Sequence, residues 1–123
     1  MKYTIRFCHL ETLPGHKVGD IITYGEKIAR MGNTGQSSAP HLHMDCVEGY
    51  HSTPWRLSDM EHGRKIPSPR QLDRFICDGL FDTEIHVTSW YCDPYYFDIN
   101  GTLIIHMGYD VVPEDRHETN NHF

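Results

Sequence analysis

The chain has 123 residues, enough for one small domain with a single hydrophobic core. Hydrophobic residues make up 38% of it and charged residues 23%, and no apolar run approaches the roughly 18–20 residues of a membrane span. The net charge is −6, and the only basic cluster is thin, so composition argues against a nucleic-acid partner.

The first 48 residues predict β-structure. The opening MKYTIRFCHL lacks the long apolar stretch and small-residue cleavage site of a signal peptide, so no leader is expected. Residues 3–10 alternate between apolar and polar side chains, which is the period of a β-strand. Residues 16–48 carry glycines at short intervals with β-branched or apolar residues between them. This spacing predicts short antiparallel strands joined by tight turns.

Residues 49–83 predict a loop followed by one short helix. Residues 50–62 are polar, carry aromatic side chains and have no period, as in a loop. Ser68 and Pro69 predict an N-cap and a first helical position, and Gly79 predicts the helix end. The helix would bury an apolar stripe at i, i+3, i+4 spacing, made of Leu72, Phe75 and Ile76. We expect a connecting helix at 69–78 that packs on the sheet.

Residues 84–115 return to β-type composition, and Asn100-Gly101 is a strong signal for a hairpin turn. The tail at 116–123 is polar and is expected to fray. Together these patterns predict a mainly β fold, a small antiparallel sheet with one short connecting helix.

Four cysteines lie far apart, without a C-x-x-C pair: Cys8, Cys46, Cys77 and Cys92. Their spacing argues against a zinc ribbon or a thioredoxin-type motif. Two disulfides are arithmetically open, but reduced, buried thiols in a small core are the preferred interpretation.

Two histidine motifs carry the chemistry. His41 and His43 stand at i and i+2, so on a strand both imidazoles point to one face. Converging imidazoles suit a metal site or a histidine-assisted hydrolytic site. Near the other end of the chain, His106 and Asp110 form a second pair with ligand chemistry, at i and i+4.

The flanks of both motifs resemble one family. Residues 18–45, VGDIITYGEKIARMGNTGQSSAPHLHMD, and residues 7–10, FCHL, resemble the C-terminal half of the lysostaphin/LytM-type zinc metallopeptidases. Residues 85–115, with VTS and HMGYD, resemble the N-terminal signature of the same family. The two halves stand in reversed order. We interpret residues 1–123 as one circularly permuted domain, with halves 1–48 and 84–115 joined by 49–83, or as a split domain completed by a second copy.

The resemblance implies roles for five residues. It assigns zinc (Zn2+) ligation to His43, His106 and Asp110. His41 would accept the proton of the attacking water and pass it to the leaving amine, and His9 would orient that water or hydrogen-bond the tetrahedral intermediate. The implied substrate is a stem or cross-link peptide of bacterial peptidoglycan. A monomer is favoured, with a strand-swapped dimer as the alternative.

Several family features are absent. A G-x-x-V-x-A stretch and the arginine after the Thr-Ser pair are not found, so the sheet is expected to be truncated or completed by another chain. The favoured function is a zinc endopeptidase acting on the cell wall, of phage type in view of its small size. The alternatives are a catalytically silent module that binds wall peptide or a protein partner, and a structural β protein whose histidines bind nothing. Metal analysis of the purified protein discriminates among them.

Overall fold

The computed structural model describes residues 2–12, 15–35, 37, 39–53, 55–56, 59–60, 63–115 and 117–123. The strands are, in chain order, β1 (Tyr3–Cys8), β2 (Leu42–Glu48), β3 (Ile85–Ser89), β4 (Pro94–Phe97), β5 (Leu103–Ile105) and β6 (Tyr109–Pro113). The helix α1 (Arg70–Asp78) separates β2 from β3, and a 3₁₀ turn (Glu118–Asn121) follows β6. The fold is mainly β, with a small antiparallel sheet and a connecting helix, which confirms the predicted fold class.

The four-stranded sheet joins the two ends of the chain. Its strand order is β1-β2-β6-β3, and each neighbouring pair is antiparallel. At its centre β2 pairs with β6, with His43 opposite Asp110 and Met44 opposite Tyr109. The strand that carries the H-x-H motif therefore lies beside the strand that carries Asp110, within one chain.

The central strand β2 divides its side chains between two faces of the sheet. Leu42 and Met44 are fully buried in the main hydrophobic cluster, on the side of α1. His43 and Asp45 point to the opposite face, because side chains alternate along a strand. Val47, on that same face, belongs to a second small cluster with Trp55 and Met60. The sheet thus has an apolar core face and a polar face.

The C-terminal residue belongs to the core, which corrects the expectation that the tail frays. Phe123 is 3% exposed, and its ring centroid lies 5.0 Å from that of Phe7 and 5.9 Å from that of Phe81. Its backbone exchanges hydrogen bonds with Ala29 and accepts one from Ile28. The burial of one aromatic side chain therefore anchors the polar tail; residue 116 lies outside the described residues.

The helix forms where it was predicted, but its buried face and its start differ. It ends at Gly79, as expected. The hydroxyl of Ser68 donates to the carboxylate of Asp73 instead of accepting from a backbone N–H, so Ser68 does not cap the helix. Asp73 and Cys77 are fully buried, whereas Phe75, predicted in the apolar stripe, is 77% exposed. The side of the helix that carries Asp73 faces inward, because there Asp73 pairs with Arg70 and accepts a hydrogen bond from Ser68.

The predicted strands between residues 16 and 41 are not formed. The described residues of this stretch make only isolated bridges, Leu10 with Met31, Arg30 with His122 and Gly32 with His41. Val18, Ile21 and Tyr24 are almost fully exposed. These residues have strand propensity, but no described strand lies beside them to pair with.

The remaining predictions are mostly confirmed. β4 and β5 pair as an antiparallel hairpin around Asn100-Gly101, with Gly101 at a φ of +78° that favours glycine. The four cysteines are free, and Cys46 and Cys77 are buried, but Cys92 is exposed. Of the predicted loop at 50–62, the described residues up to 56 form neither helix nor strand, whereas Asp59 and Met60 are helical, which corrects the prediction there; residues 54, 57–58 and 61–62 lie outside the described residues. Among the described helices, none has the length and hydropathy of a bilayer span.

Candidate functional site

Strand pairing and one loop bring three ligand-type side chains together on the polar face of the sheet. His43 on β2 and Asp110 on β6 are direct register partners. His106 precedes β6, and its backbone is held by the loop after β3: its N–H donates to Asp93 over 2.9 Å, and its carbonyl accepts from Cys92 over 2.8 Å. The site is therefore built from both halves of the chain.

The three side chains present one ligand atom each to a common point. His43 Nδ1 lies 2.9 Å from Asp110 Oδ1, His106 Nε2 lies 3.2 Å from His43 Nδ1, and His106 Nε2 lies 3.5 Å from Asp110 Oδ1. Tetrahedral bonds of about 2 Å to one zinc ion would separate ligand atoms by about 3.3 Å. Two imidazole nitrogens and one carboxylate oxygen are also a donor set that zinc accepts. Spacing and chemistry both fit the ion.

The charges of the cluster favour an ionised carboxylate. Burial alone would raise the pKa of Asp110, but the neighbouring imidazoles of His106 and His43 hold it far below its usual range. Burial opposes the charged form of His43 as well, yet its bonds to Asp110 and Asp45 raise the pKa of this imidazole. A metal ion at His43 Nδ1 therefore competes with a proton.

Backbone and hydroxyl acceptors orient His106. Its Nδ1 lies 3.1 Å from the hydroxyl of Ser89 and 3.3 Å from the carbonyl of Trp90. A carbonyl only accepts, so Nδ1 carries the proton and Nε2 is left with its lone pair toward His43 and Asp110. Ser89, the serine of the VTS motif, therefore contacts the ring nitrogen of His106 that is not directed at His43 and Asp110.

His41 lies at the edge of the cluster, and its ring is oriented by hydrogen bonds at Nδ1, as that of His106 is. Its Nδ1 donates to the carbonyl of Ala39 over 2.7 Å and lies 3.1 Å from Ser37 Oγ. Its Nε2, left without a proton, points toward the cluster at 3.7 Å from Asp110 Oδ1. A neutral imidazole with this tautomer can accept a proton at Nε2.

His9 stands behind His41, with ring centroids 4.7 Å apart. Its Nδ1 donates to the carbonyl of Thr34 over 2.7 Å, and burial together with the neighbouring imidazoles lowers the pKa of His9. Its φ of +69° is a left-handed conformation that non-glycine residues rarely adopt. Such local strain is concentrated at functional sites.

Gly108 lets the chain pass this close to β2. A Cβ at this position would lie 2.6 Å from the carbonyl oxygen of Met44 and 2.8 Å from Cε1 of His43. A side chain would thus collide with backbone and with a ligand-type residue. The glycine of the HMGYD motif is therefore a steric requirement of the site.

Sequence reasoning missed a group of residues behind His43, consisting of Asp45, Arg6 and Trp55. Asp45 is fully buried, and its Oδ2 lies 2.7 Å from His43 Nε2. One signal was present: Asp45 is at i+2 from His43, so on a strand both side chains share a face. Arg6 and Trp55, the other partners of Asp45, are distant from it in sequence, and no sequence pattern connects them with it.

A comparison with known families supports the resemblance found in the N-terminal part of the chain. The family model described as Peptidase family M23 matches residues 1–54. This stretch holds His9, His41 and His43 and ends before His106 and Asp110. The match confirms the resemblance to LytM-type peptidases, and the mainly β fold is that expected of such a domain. No curated protein and no solved structure matches the chain.

Proposed function

We propose that the protein is a zinc-dependent endopeptidase that hydrolyses a stem or cross-link peptide of bacterial peptidoglycan. The observation that carries the proposal is the spacing of His43 Nδ1, His106 Nε2 and Asp110 Oδ1, which suits one tetrahedral zinc. The family match to residues 1–54 supports a peptide substrate. The peptidoglycan substrate is inferred from the LytM-type resemblance.

The reaction assigns a separate task to each side chain. Zinc held by His43, His106 and Asp110 would supply a water of lowered pKa and polarise the scissile carbonyl. His41 Nε2 accepts the proton of the attacking water and transfers it to the leaving amine. The hydrogen bond from His41 Nδ1 to the carbonyl of Ala39 places the ring proton on Nδ1, which leaves Nε2 free to accept a proton. His9, whose Nδ1 is likewise held by a carbonyl, accepts a hydrogen bond at Nε2 and orients the water.

Zinc binding tests the ligand set. We expect the purified protein to hold about one zinc, and His43→Ala or Asp110→Ala to abolish tight binding, because three protein ligands are the minimum of a catalytic zinc site. Metal content after dialysis measures it. His86→Ala, an exposed histidine on β3, is the matched control and should keep its zinc. Stoichiometric zinc in both ligand variants would refute the assignment.

The same two variants test the permuted single-chain arrangement, which we also propose. If His43 and Asp110 of one site belong to one chain, a mixture of the His43→Ala and Asp110→Ala proteins contains no complete site. A strand-swapped dimer would instead rebuild complete sites in the mixture. Recovery of zinc binding after mixing and refolding would therefore replace the monomer by the dimer.

His41 provides the test of catalysis. His41→Ala should retain zinc yet lower turnover of isolated peptidoglycan by about 10²-fold, the usual loss with a general acid–base group. Release of new amino groups from the wall polymer, with mass analysis of the products, measures turnover and identifies the bond. Zinc lost together with activity would make His41 a ligand. Zinc bound with no hydrolysis by the unsubstituted chain would favour the silent binding module.

A further inference from the structure

A second buried polar cluster surrounds Asp45, which is not one of the proposed ligands. This side chain is fully buried on the polar face of the sheet. Its Oδ2 accepts from His43 over 2.7 Å, and its Oδ1 accepts from the indole N–H of Trp55 over 3.0 Å. Arg6, the register partner on β1, adds guanidinium hydrogen bonds to both oxygens.

These contacts determine how the His43 ring is oriented. A carboxylate bonded to Arg6 and Trp55 only accepts, so the His43 nitrogen that faces it must carry a proton. Nε2 therefore donates to Asp45, and the opposite nitrogen, Nδ1, is directed at His106 and Asp110. Arg6 compensates the charge of Asp45, and its Nη1 also donates to the carbonyl of Trp55, which ties the cluster to the chain after β2.

We propose that Asp45 is a positioning residue for the metal site, fixing His43 as an Nδ1 ligand, with Arg6 and Trp55 holding Asp45 in place. Histidine ligands to metals usually donate their second nitrogen to a carboxylate or carbonyl, and removing that acceptor typically weakens metal affinity 10–100-fold. The proposal rests on the zinc-binding function above. It adds that the affinity of the site depends on a residue that does not touch the metal.

The chain offers a matched control for a merely structural role. Asp73 is also fully buried and also pairs with an arginine, Arg70. It belongs to α1, which packs on the core face of the sheet. Asp45→Asn and Asp73→Asn therefore remove the same charge from two buried arginine pairs, and only the first contacts a proposed ligand.

The experiment measures the zinc dissociation constant of both variants by competition with a chromophoric chelator. We expect Asp45→Asn to bind zinc about 10–100-fold more weakly. Asp73→Asn should bind like the unsubstituted protein. Equal affinities for Asp45→Asn and the unsubstituted protein would overturn the role of Asp45 and leave the proposed function standing. A chain that binds no zinc at all would overturn both.

Nitrogen-15 NMR of the zinc-loaded, unsubstituted protein gives a second measurement, independent of whether the Asp45 variant folds. The His43 ring should show a proton on Nε2, slowed in exchange by its bond to Asp45, and none on Nδ1. A zinc-loaded His43 that is protonated at Nδ1 would contradict the proposal directly.

Discussion

Asp45 and Asp73 are both fully buried and both pair with an arginine, yet their pKa values move in opposite directions. Burial favours the neutral form of each. For Asp45, hydrogen bonds from His43 and Arg6 overcome burial and lower its pKa. For Asp73, burial dominates over the attraction of Arg70 and raises its pKa to about 6.

The difference lies in the kind of donors. Asp45 accepts from three side chains, the imidazole of His43, the guanidinium of Arg6 and the indole of Trp55. Asp73 has the hydroxyl of Ser68, the thiol of Cys46 and one guanidinium nitrogen of Arg70. A buried carboxylate paired with a single arginine therefore has a raised pKa in this protein, whereas the one that also accepts from an imidazole has a lowered pKa.

The same division separates the two faces of the sheet. The polar face holds charged and ionisable groups that satisfy one another, and they direct ligand atoms to one point. The core face supplies most of the buried apolar area, through Leu42, Met44, Val111 and the aromatic rings around Phe123. We therefore expect stability to depend mainly on the core face and metal affinity on the polar face.

Phe123→Ala should produce the largest loss of stability among the substitutions considered on the core face. Deleting a buried phenylalanine side chain costs about 3–5 kcal/mol, because transfer energy is lost and a cavity remains. Urea denaturation monitored by tryptophan fluorescence measures the change in unfolding free energy. Phe75→Ala, which removes the same atoms from a side chain that is 77% exposed, should change it by less than about 0.5 kcal/mol. If the two substitutions had similar effects, the Phe123 side chain would not stabilise the core, and the prediction that the polar tail frays would hold.

The residues of the candidate site could be named from sequence because two short motifs carry them and the flanks of both motifs resemble one family. Alternation along a strand puts His43 on one face, and the family resemblance names its partners His106 and Asp110 near the other end of the chain. The hairpin at Asn100-Gly101 was equally accessible, since its turn chemistry is local. For the hairpin, a few adjacent residues contain the whole signal.

Features that depend on distant partners were not accessible. Residues 16–41 have strand-forming composition, but a strand also needs a neighbour, and β-propensity does not supply one. Phe123 is a single aromatic residue after a polar run, and its burial depends on Phe7 and Phe81. Whether a given aspartate is buried likewise depends on where its arginine lies, which the spacing of Arg6 and Asp45 does not reveal.

Asp73 allows the comparison of the two carboxylates to be tested by pH. Its pKa in the folded protein, about 6, lies above its ordinary value of 3.8. The folded state therefore binds the proton more tightly than the unfolded state, so protonation of Asp73 stabilises the protein. This contribution is fully present below about pH 4 and is lost as the pH rises through 6, a loss of at most about 3 kcal/mol. Asp45 and Asp110, with lowered pKa values, contribute in the opposite direction, and their stabilisation is lost as the solution becomes acidic.

Asp73→Asn isolates this term, because the amide resembles the protonated acid and cannot ionise. The unfolding free energy of the variant minus that of the unsubstituted protein should rise between pH 4 and pH 7, by at most about 3 kcal/mol. All other groups are common to both proteins and cancel in the difference. Asp78→Asn, the same substitution at an exposed aspartate of the same helix, is the control for the substitution itself. A flat profile for Asp73→Asn, or one that falls with pH, would mean that Arg70 and Ser68 keep this carboxylate ionised as effectively as the partners of Asp45 do.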